Sequence, residues 1–375
     1  MTWKIPLFKI FWDDEDVKAV TEAITAGMNW AVGPNIGRFE ELISDYVGTE
    51  YAVAFNSGTS ALHAALLAYG IQHGDEVIVP SFTFIATANA PLFVGAKPVF
   101  ADIEEETYGL DPEDVKEKIT GKTKAIMPIH YGGCSCKLRE LKEIADDHDL
   151  ILIEDAAESL GAKVGDEMAG TFGDAAMFSF CQNKLVTTGE GGVILTDSKK
   201  IANKLRLFRS HGRLETSDYF SSPDSLDYVT LGYNFRMSNI TAALGISQLK
   251  KVNEIIERRR ENAKFMSAKL SKLDYVTTPK PPNEYFHVYQ MYTVRAKNRD
   301  GLINYLAKNG ILTKVYFHPV HLTKFYTDVL GYSSKLETTE RIAKEVVTLP
   351  MYPALTKEEI DLIVSEVKKF YGDVK

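Results

Sequence analysis

An α/β architecture is expected from this chain: a large domain on a mostly parallel mixed sheet, then a smaller C-terminal α+β domain. Three observations point there. Between about residues 50 and 200, brief apolar runs alternate with amphipathic stretches, the pattern of βα units whose helices cover both faces of a sheet. Apolar residues at helical spacing then run from about 238 to 271, as expected of a helix that connects two domains. Finally, 375 residues is long for a single hydrophobic core. The expected division is 1–250, with an N-terminal arm, and 251–375.

The strands of the large domain are expected at Ala52–Phe55, Glu76–Val79, Lys97–Ala101, Ala125–Pro128, Leu150–Ile153, Ala176–Phe180 and Gly192–Leu195. Each is short, rich in Val, Ile or Phe, and bounded by Gly, Pro or Asp. Thr59–Leu67, Asp111–Ile119 and Leu138–His148 read as helices between them. Ile240, Ala243, Leu244, Ile246, Leu249, Val252, Ile255 and Ile256 give the 238–271 segment one apolar face, with Arg258–Arg260 on the wet side. Beyond it, Val288–Val294 and Thr313–Phe317 read as strands, and Arg299–Asn309, Thr339–Val346 and Lys357–Phe370 as helices. Pro279–Pro282 marks a loop.

Composition narrows the function classes. A hydrophobic content of 45% and a charged content of 25% are ordinary for a globular protein. The net charge of −8 argues against a general nucleic-acid or anionic-membrane surface. It leaves room for a small anionic ligand in a local cradle of backbone N–H groups. The three cysteines, Cys134, Cys136 and Cys181, suit a reducing compartment. The opening residues lack the basic and apolar regions of a signal peptide, and no run approaches the ~18 apolar residues of a spanning helix. The cytoplasm is the expected location. No metal is expected: Cys134 and Cys136 offer two ligands where a structural zinc needs four.

The chemistry concentrates in Phe178-Ser-Phe-Cys-Gln-Asn-Lys184-Leu-Val-Thr-Thr-Gly-Glu-Gly-Gly192. A lysine between a strand-like run and a glycine cluster is placed as a lysine that condenses with a carbonyl must be, held in one position and kept partly neutral. If it forms a Schiff base with pyridoxal phosphate, the chain also needs a partner for the pyridine nitrogen, a residue to stack on the ring and a phosphate cradle. Asp155, closing the run Ile151-Leu-Ile-Glu-Asp155, sits one strand earlier, where a carboxylate would keep a pyridinium protonated; a helix N-cap is its plain alternative. Asn56-Ser-Gly58-Thr59-Ser60 follows a strand and opens a helix, so free N–H groups, positive potential and hydroxyls converge; a simple capping turn would look the same. Phe84 follows the next strand and would stack on a planar ring or fill the core, as would Phe82. Ser179 would add a hydroxyl to the phosphate cradle, while Glu190 reads as structural.

In Gly232-Tyr-Asn234-Phe-Arg236-Met-Ser238-Asn239, Ser238 or Asn239 would cap the following helix, which leaves Asn234 and Arg236 as polar groups in an aromatic loop. Arg236 and Arg209 are candidates for a substrate carboxylate, or members of structural ion pairs. His130 ends a strand and would face the site. His318 and His321 would touch a substrate diphosphate; their spacing also suits a metal pair that has no third ligand, or a solvated loop.

Together these segments resemble the DegT-type sugar-nucleotide aminotransferases, pyridoxal-phosphate enzymes of fold type I. The likeness runs from about Gly33-Pro34 to Leu349-Pro350 and includes Asn56–Leu62, Glu154–Ala157, Gly170–Asp174, Phe178–Phe180 with Lys184, Thr188–Gly192, Gly232–Met237 and Phe317–Pro319. The resemblance implies that Lys184 carries the cofactor and then shuttles protons, with Asp155 as the second catalytic residue, holding the pyridine nitrogen. Phe84 would stack on the ring, where relatives often carry Trp or Tyr. Gly58, Thr59 and Ser179 would bind the phosphate, and Glu158 falls where many relatives have His or Gln beside the 3-hydroxyl. Asn234 would reach the phosphate of a neighbouring subunit's cofactor, which makes the active unit a homodimer. Asp155-Ala-Ala-Glu158 and Tyr233–Met237 are similar to GDP-perosamine synthases. The implied reaction moves an amino group from L-glutamate to a 4-keto-6-deoxy sugar nucleotide, for surface polysaccharide or secondary-metabolite sugars.

Amination at C3 is the nearest alternative. A pyridoxamine-dependent sugar dehydratase on the same fold would carry histidine at the lysine position, and Lys184 argues against it. A non-catalytic regulator that binds the cofactor would not need every chemical role filled.

Overall fold

The computed structural model describes residues 3–214 and 226–372. Two helices, α1 (Asp14–Thr25) and α2 (Pro34–Val47), precede the βα alternation. It then runs β1 (Tyr51–Phe55), α3 (Gly58–Tyr69), β2 (Glu76–Pro80), α4 (Ile85–Phe93), β3 (Lys97–Ala101), α5 (Pro112–Lys118), β4 (Thr123–Ile126), α6 (Leu138–Asp147) and β5 (Ile151–Asp155). A small hairpin, β6 (Lys163–Val164) and β7 (Glu167–Met168), leads to β8 (Ala175–Ser179), β9 (Gly192–Thr196) and α7 (Lys199–Arg209).

These strands form a seven-stranded sheet in the order β1-β9-β8-β5-β4-β2-β3. β9 runs antiparallel to both its neighbours, and every other pairing is parallel. The alternation of side chains along each strand feeds two cores. On one face Val53, Phe55, Val77 and Val79 pack with the Ala- and Leu-rich α3. On the other, Ala52, Ala54, Val193 and Leu195 meet Phe39 and Ile43 of α2. Ile78, Ile126 and Leu152 meet Leu138, Leu141 and Ile144 of α6 on that same face. Since β1, β2, β5 and β8 point the same way, their carboxyl ends open on one edge, where α/β sheets bind ligands.

The connecting segment departs from the single helix expected over 238–271. It is two helices, α8 (Asn239–Leu249) and α9 (Val252–Leu270), with the break at Lys250–Lys251. The apolar period continues through the break, so periodicity does not reveal it. Lys251 turns toward the N-cap of α1 instead, with its Nζ 2.8 Å from Asp13 Oδ1 and 2.5 Å from Asp16 Oδ2.

The C-terminal unit holds β10 (Val276–Thr277), β11 (Tyr285–Phe286), β12 (Tyr292–Ala296), α10 (Arg299–Lys308), α11 (Glu337–Glu345), β13 (Val346–Leu349) and α12 (Lys357–Gly372). Its three-stranded sheet, β10-β12-β13, is covered by Met266, Leu306, Ile363 and Val367 from the helices. The N-terminal arm joins this core: Ile5 is fully buried in it, and its N–H donates to the Gly310 carbonyl at 3.1 Å.

Three expected elements shift. Val288–Met291 precede β12 instead, and the Val288 and Met291 N–H groups donate to the Gly133 and Gly132 carbonyls, each at 3.0 Å. In the expected strand at Thr313–Phe317 only Lys314 pairs, with Thr348. The expected helix at Thr339–Val346 ends at Glu345 and continues as β13, a run too short for periodicity to separate from the helix. No helix among the described residues is long and apolar enough to cross a membrane.

Candidate active site

A cavity of about 380 Å³ opens at the carboxyl edge of the sheet, and Lys184 lines it together with Asp155, Glu158, Gly58, Thr59, Phe84 and Ser179. A larger cleft of about 560 Å³ between α1 and α8 contains none of these residues.

Lys184 is carried by the loop from β8 to β9. Backbone bonds from Phe180 N to Gly191 O and from Thr188 N to Phe180 O close that loop, and Lys184 N donates to Cys181 O within it, each at 2.9 Å. The side chain lies only 14% exposed, with Nζ 3.2 Å from Glu158 Oε1. Glu158 is itself anchored, its Oε2 accepting from Gly132 N at 2.9 Å. The lysine amine is therefore held by a carboxylate that the backbone holds in turn.

Asp155 ends β5, 3% exposed. Its Oδ2 accepts from Thr87 Oγ1 at 2.6 Å and its Oδ1 from Ala157 N at 3.2 Å. Thr83 Oγ1 is 2.7 Å from Thr87 Oγ1 and orients it. Burial pushes the Asp155 carboxyl above its ordinary pKa, against the opposing pull of the Thr87 and Ala157 bonds and the Lys184 charge. A buried carboxylate with this balance gains most from a cation brought to it.

At the N-terminus of α3, Ser57 caps the helix by accepting from Ser60 N at 3.1 Å. Gly58 and Thr59, in the first turn whose N–H groups have no intrahelical partner, line the cavity together with Ser179. The approach is tight. A Cβ on Gly58 would lie 2.9 Å from Met177 Sδ, and one on Gly192 would lie 2.6 Å from Gly58 N. Phe84 precedes α4 and is 58% exposed although it is a large aromatic; its ring looks onto the cavity opposite Phe317, 6.3 Å away between centroids.

These groups fit pyridoxal phosphate. The glycine-lined helix end suits the phosphate, the buried Asp155 a pyridinium, the open face of Phe84 a planar ring, and Lys184 an aldehyde. No cluster of three metal-ligating side chains exists among the described residues.

Other candidates lie elsewhere. His130 is fully buried and does not line the cavity; Nδ1 accepts from Cys136 N at 3.4 Å, and Nε2 is 2.9 Å from Glu154 Oε2. Glu154 also accepts from the backbone of Gly170, Phe172 and Gly173, so this pair supports the fold beneath the site. It replaces the substrate contact expected of His130, because alternation along β5 sends Glu154 and Asp155 to opposite faces. His321 is likewise buried, with Nδ1 2.6 Å from Ser81 Oγ, and burial lowers its pKa. His318 is exposed and outside the cavity lining. Arg209 bonds Glu40 and the Ala54 carbonyl. Arg236 contacts Ser210 Oγ at 3.4 Å, and Asn234 is exposed, its carbonyl accepting from Asn56 Nδ2 at 3.3 Å. Neither lines this chain's cavity.

Lys314, Tyr316 and Asn183 line it without having been expected to. The first two come from the C-terminal unit, and no local motif marks them. Thr87, behind Asp155, also escaped, since one threonine in an apolar helix carries no signal.

Fold and site define a pyridoxal-phosphate enzyme of fold type I. Residues 12–368 match the DegT/DnrJ/EryC1/StrS aminotransferase family, and the chain belongs to that family. It is 40% identical to the GDP-perosamine synthase of Caulobacter vibrioides over 341 residues, 89% of this chain and 90% of that one. It is 36% identical to the GDP-perosamine synthase of Escherichia coli over 372 residues, 98% and 99% of the two chains. The PMP form of a putative sugar aminotransferase from Streptococcus pneumoniae superposes with a TM-score of 0.92 at 25% identity over the whole of both chains. The protein is thus a sugar aminotransferase, and its cofactor is pyridoxal 5'-phosphate.

Proposed function

We propose that the protein moves the amino group of L-glutamate to C4 of a 4-keto-6-deoxy sugar nucleotide. It does so as a cytoplasmic homodimer, and supplies an amino sugar for a surface polysaccharide or a secondary metabolite. The observation that carries the reading is the Lys184 amine, held at 3.2 Å by Glu158 in the same cavity as Asp155 and the α3 N-terminus. The likeness to two GDP-perosamine synthases supports the choice of acceptor.

Bound here, pyridoxal phosphate supplies an aldehyde for amine exchange and an electron-withdrawing ring. The chain supplies the rest. Gly58 and Thr59 N–H groups and the Ser179 hydroxyl would hold the phosphate, and Phe84 would pack on the ring. Asp155 would keep the ring nitrogen protonated. Glu158 positions the Lys184 amine. That amine would take a proton from the substrate carbon in one half-reaction and return one in the other. Overall, donor amine and acceptor ketone oxygen exchange places, so no oxidant, reductant or net water is consumed. Asn234, exposed on its own chain, would reach the phosphate of the cofactor held by a second copy.

The purified protein is expected to be yellow, with an absorption band that borohydride removes and that Lys184→Ala abolishes. Incubation with glutamate and a panel of keto sugar nucleotides should yield an amino sugar detectable by mass. No amination with any acceptor would sink the proposal.

A further inference from the structure

We infer that Lys314 is the docking cation for the anionic part of the substrates, a role that rests on the transaminase reading above. Lys314 lines the cavity together with Tyr316 and Phe317. The backbone there is fixed: Lys314 N donates to Thr348 O at 3.2 Å and Thr348 N to Lys314 O at 2.8 Å. Lys314 and Tyr316, two residues apart on an extended segment, project to the same side, and the Lys314 ammonium sits 4.8 Å from the Tyr316 ring centroid. No acidic side chain pairs with Lys314 among the described residues.

The charge balance of the cavity makes this cation matter. Asp155, Glu158 and Glu190 line the cavity as acids, and Lys184 and Lys314 are its lysines. Lys184 is already engaged by Glu158 and is committed to the chemistry. A dicarboxylate donor and a nucleotide diphosphate would both be repelled by this wall. The ammonium on a braced strand segment, free of an acid partner, offsets that repulsion for whichever anion enters. Both half-reactions use one cavity in turn, so one lysine serves both.

The test compares the wild-type holoenzyme with Lys314→Met and Lys314→Arg. One arm measures the half-saturating glutamate concentration for loss of the aldehyde-form absorption band. The other measures the inhibition constant of inorganic pyrophosphate against the full reaction, or its thermal shift of the holoenzyme. Lys314→Met is expected to weaken at least one arm by about 10-fold or more, to flatten its dependence on salt, and to leave the maximal rate of band loss within about 2-fold. Lys314→Arg should restore most of the loss. The arm that moves identifies the anion as the donor carboxylate, the diphosphate, or both. Unchanged values in both arms for Lys314→Met, with its absorption band intact, would overturn the inference. A wild type that fails to react with glutamate would count against the donor in the proposed function, while the pyrophosphate thermal shift still judges Lys314.

Discussion

The Asp155 carboxyl illustrates how a buried group is poised for a ligand. Burial raises its pKa above the ordinary 3.8, so the folded apoprotein binds more protons than the unfolded chain from about that pH upward. Stability contributed by this group is therefore present at low pH and lost as pH rises through the raised pKa. Asp155→Asn, which cannot ionise, is expected to flatten the fall of apoprotein Tm as pH rises above about 4. A scan of Tm against pH on the two apoproteins checks this; parallel slopes would refute it. The same residue also shows what is legible locally. A carboxylate closing an apolar strand, one strand before Lys184, stands out in the chain. The Thr83–Thr87 relay that fixes its orientation does not, because hydroxyls at that spacing serve equally well as ordinary helix residues. The histidines illustrate the opposite error. His130 and His321 end or follow strand-like runs near the site, yet each is taken up by a buried partner, Glu154 and Ser81. Which face a strand-end side chain takes depends on register against neighbours, and no residue count supplies that.

The N-terminus of α3 owes its position to glycine on two elements. Gly58 opens the helix and Gly192 starts β9, with the Gly192 Cα so close that a Cβ would lie 2.6 Å from Gly58 N and Ser57 O. Those contacts are backbone, so they have no side-chain rotation to relieve them. Gly192→Ala is expected to cost about 1–3 kcal/mol or more and to displace the helix end from the cavity rim. The predicted readouts are a lower Tm and faster loss of cofactor on dialysis, and a variant matching wild type in both would show that the helix end tolerates the shift. Strands of the large sheet were readable from composition because they are buried on both faces and apolar throughout. The break between α8 and α9 was not, since what bends the chain is the attraction of Lys251 to Asp13 and Asp16, side chains far away in sequence. The same holds for Lys314: its segment reads as a strand, but only the bridge to Thr348 forms, and nothing local marks its place on the cavity.

The whole molecule carries a surface that a single chain does not explain. Tyr228, Val229 and Leu231 are large apolar residues at 55%, 51% and 76% exposure, a few residues before Asn234. A contiguous exposed apolar stretch of this kind suits a partner copy. If each site takes Lys184 from one chain and Asn234 from the other, the variants Lys184→Ala and Asn234→Ala should complement. Co-refolded in equal amounts, they form mixed dimers with one fully native site, so about a quarter of the sites are wild type. The borohydride-reducible band should return to that fraction at a cofactor concentration where each variant alone binds poorly; no recovery would exclude the shared site.

What could be read along the chain was whatever depends on neighbours in sequence: the βα alternation, the helix-opening Gly58, the acid at the end of β5, and Lys184 among its glycines. Short-range sterics and period alone specify these. Everything that depends on one element meeting another was settled by packing: His130 given to Glu154, Glu158 turned onto Lys184 by Gly132, the bend at Lys251, and a lysine from the C-terminal unit brought to the wall of the cavity. Those contacts join residues whose separation along the chain carries no information about their distance in space.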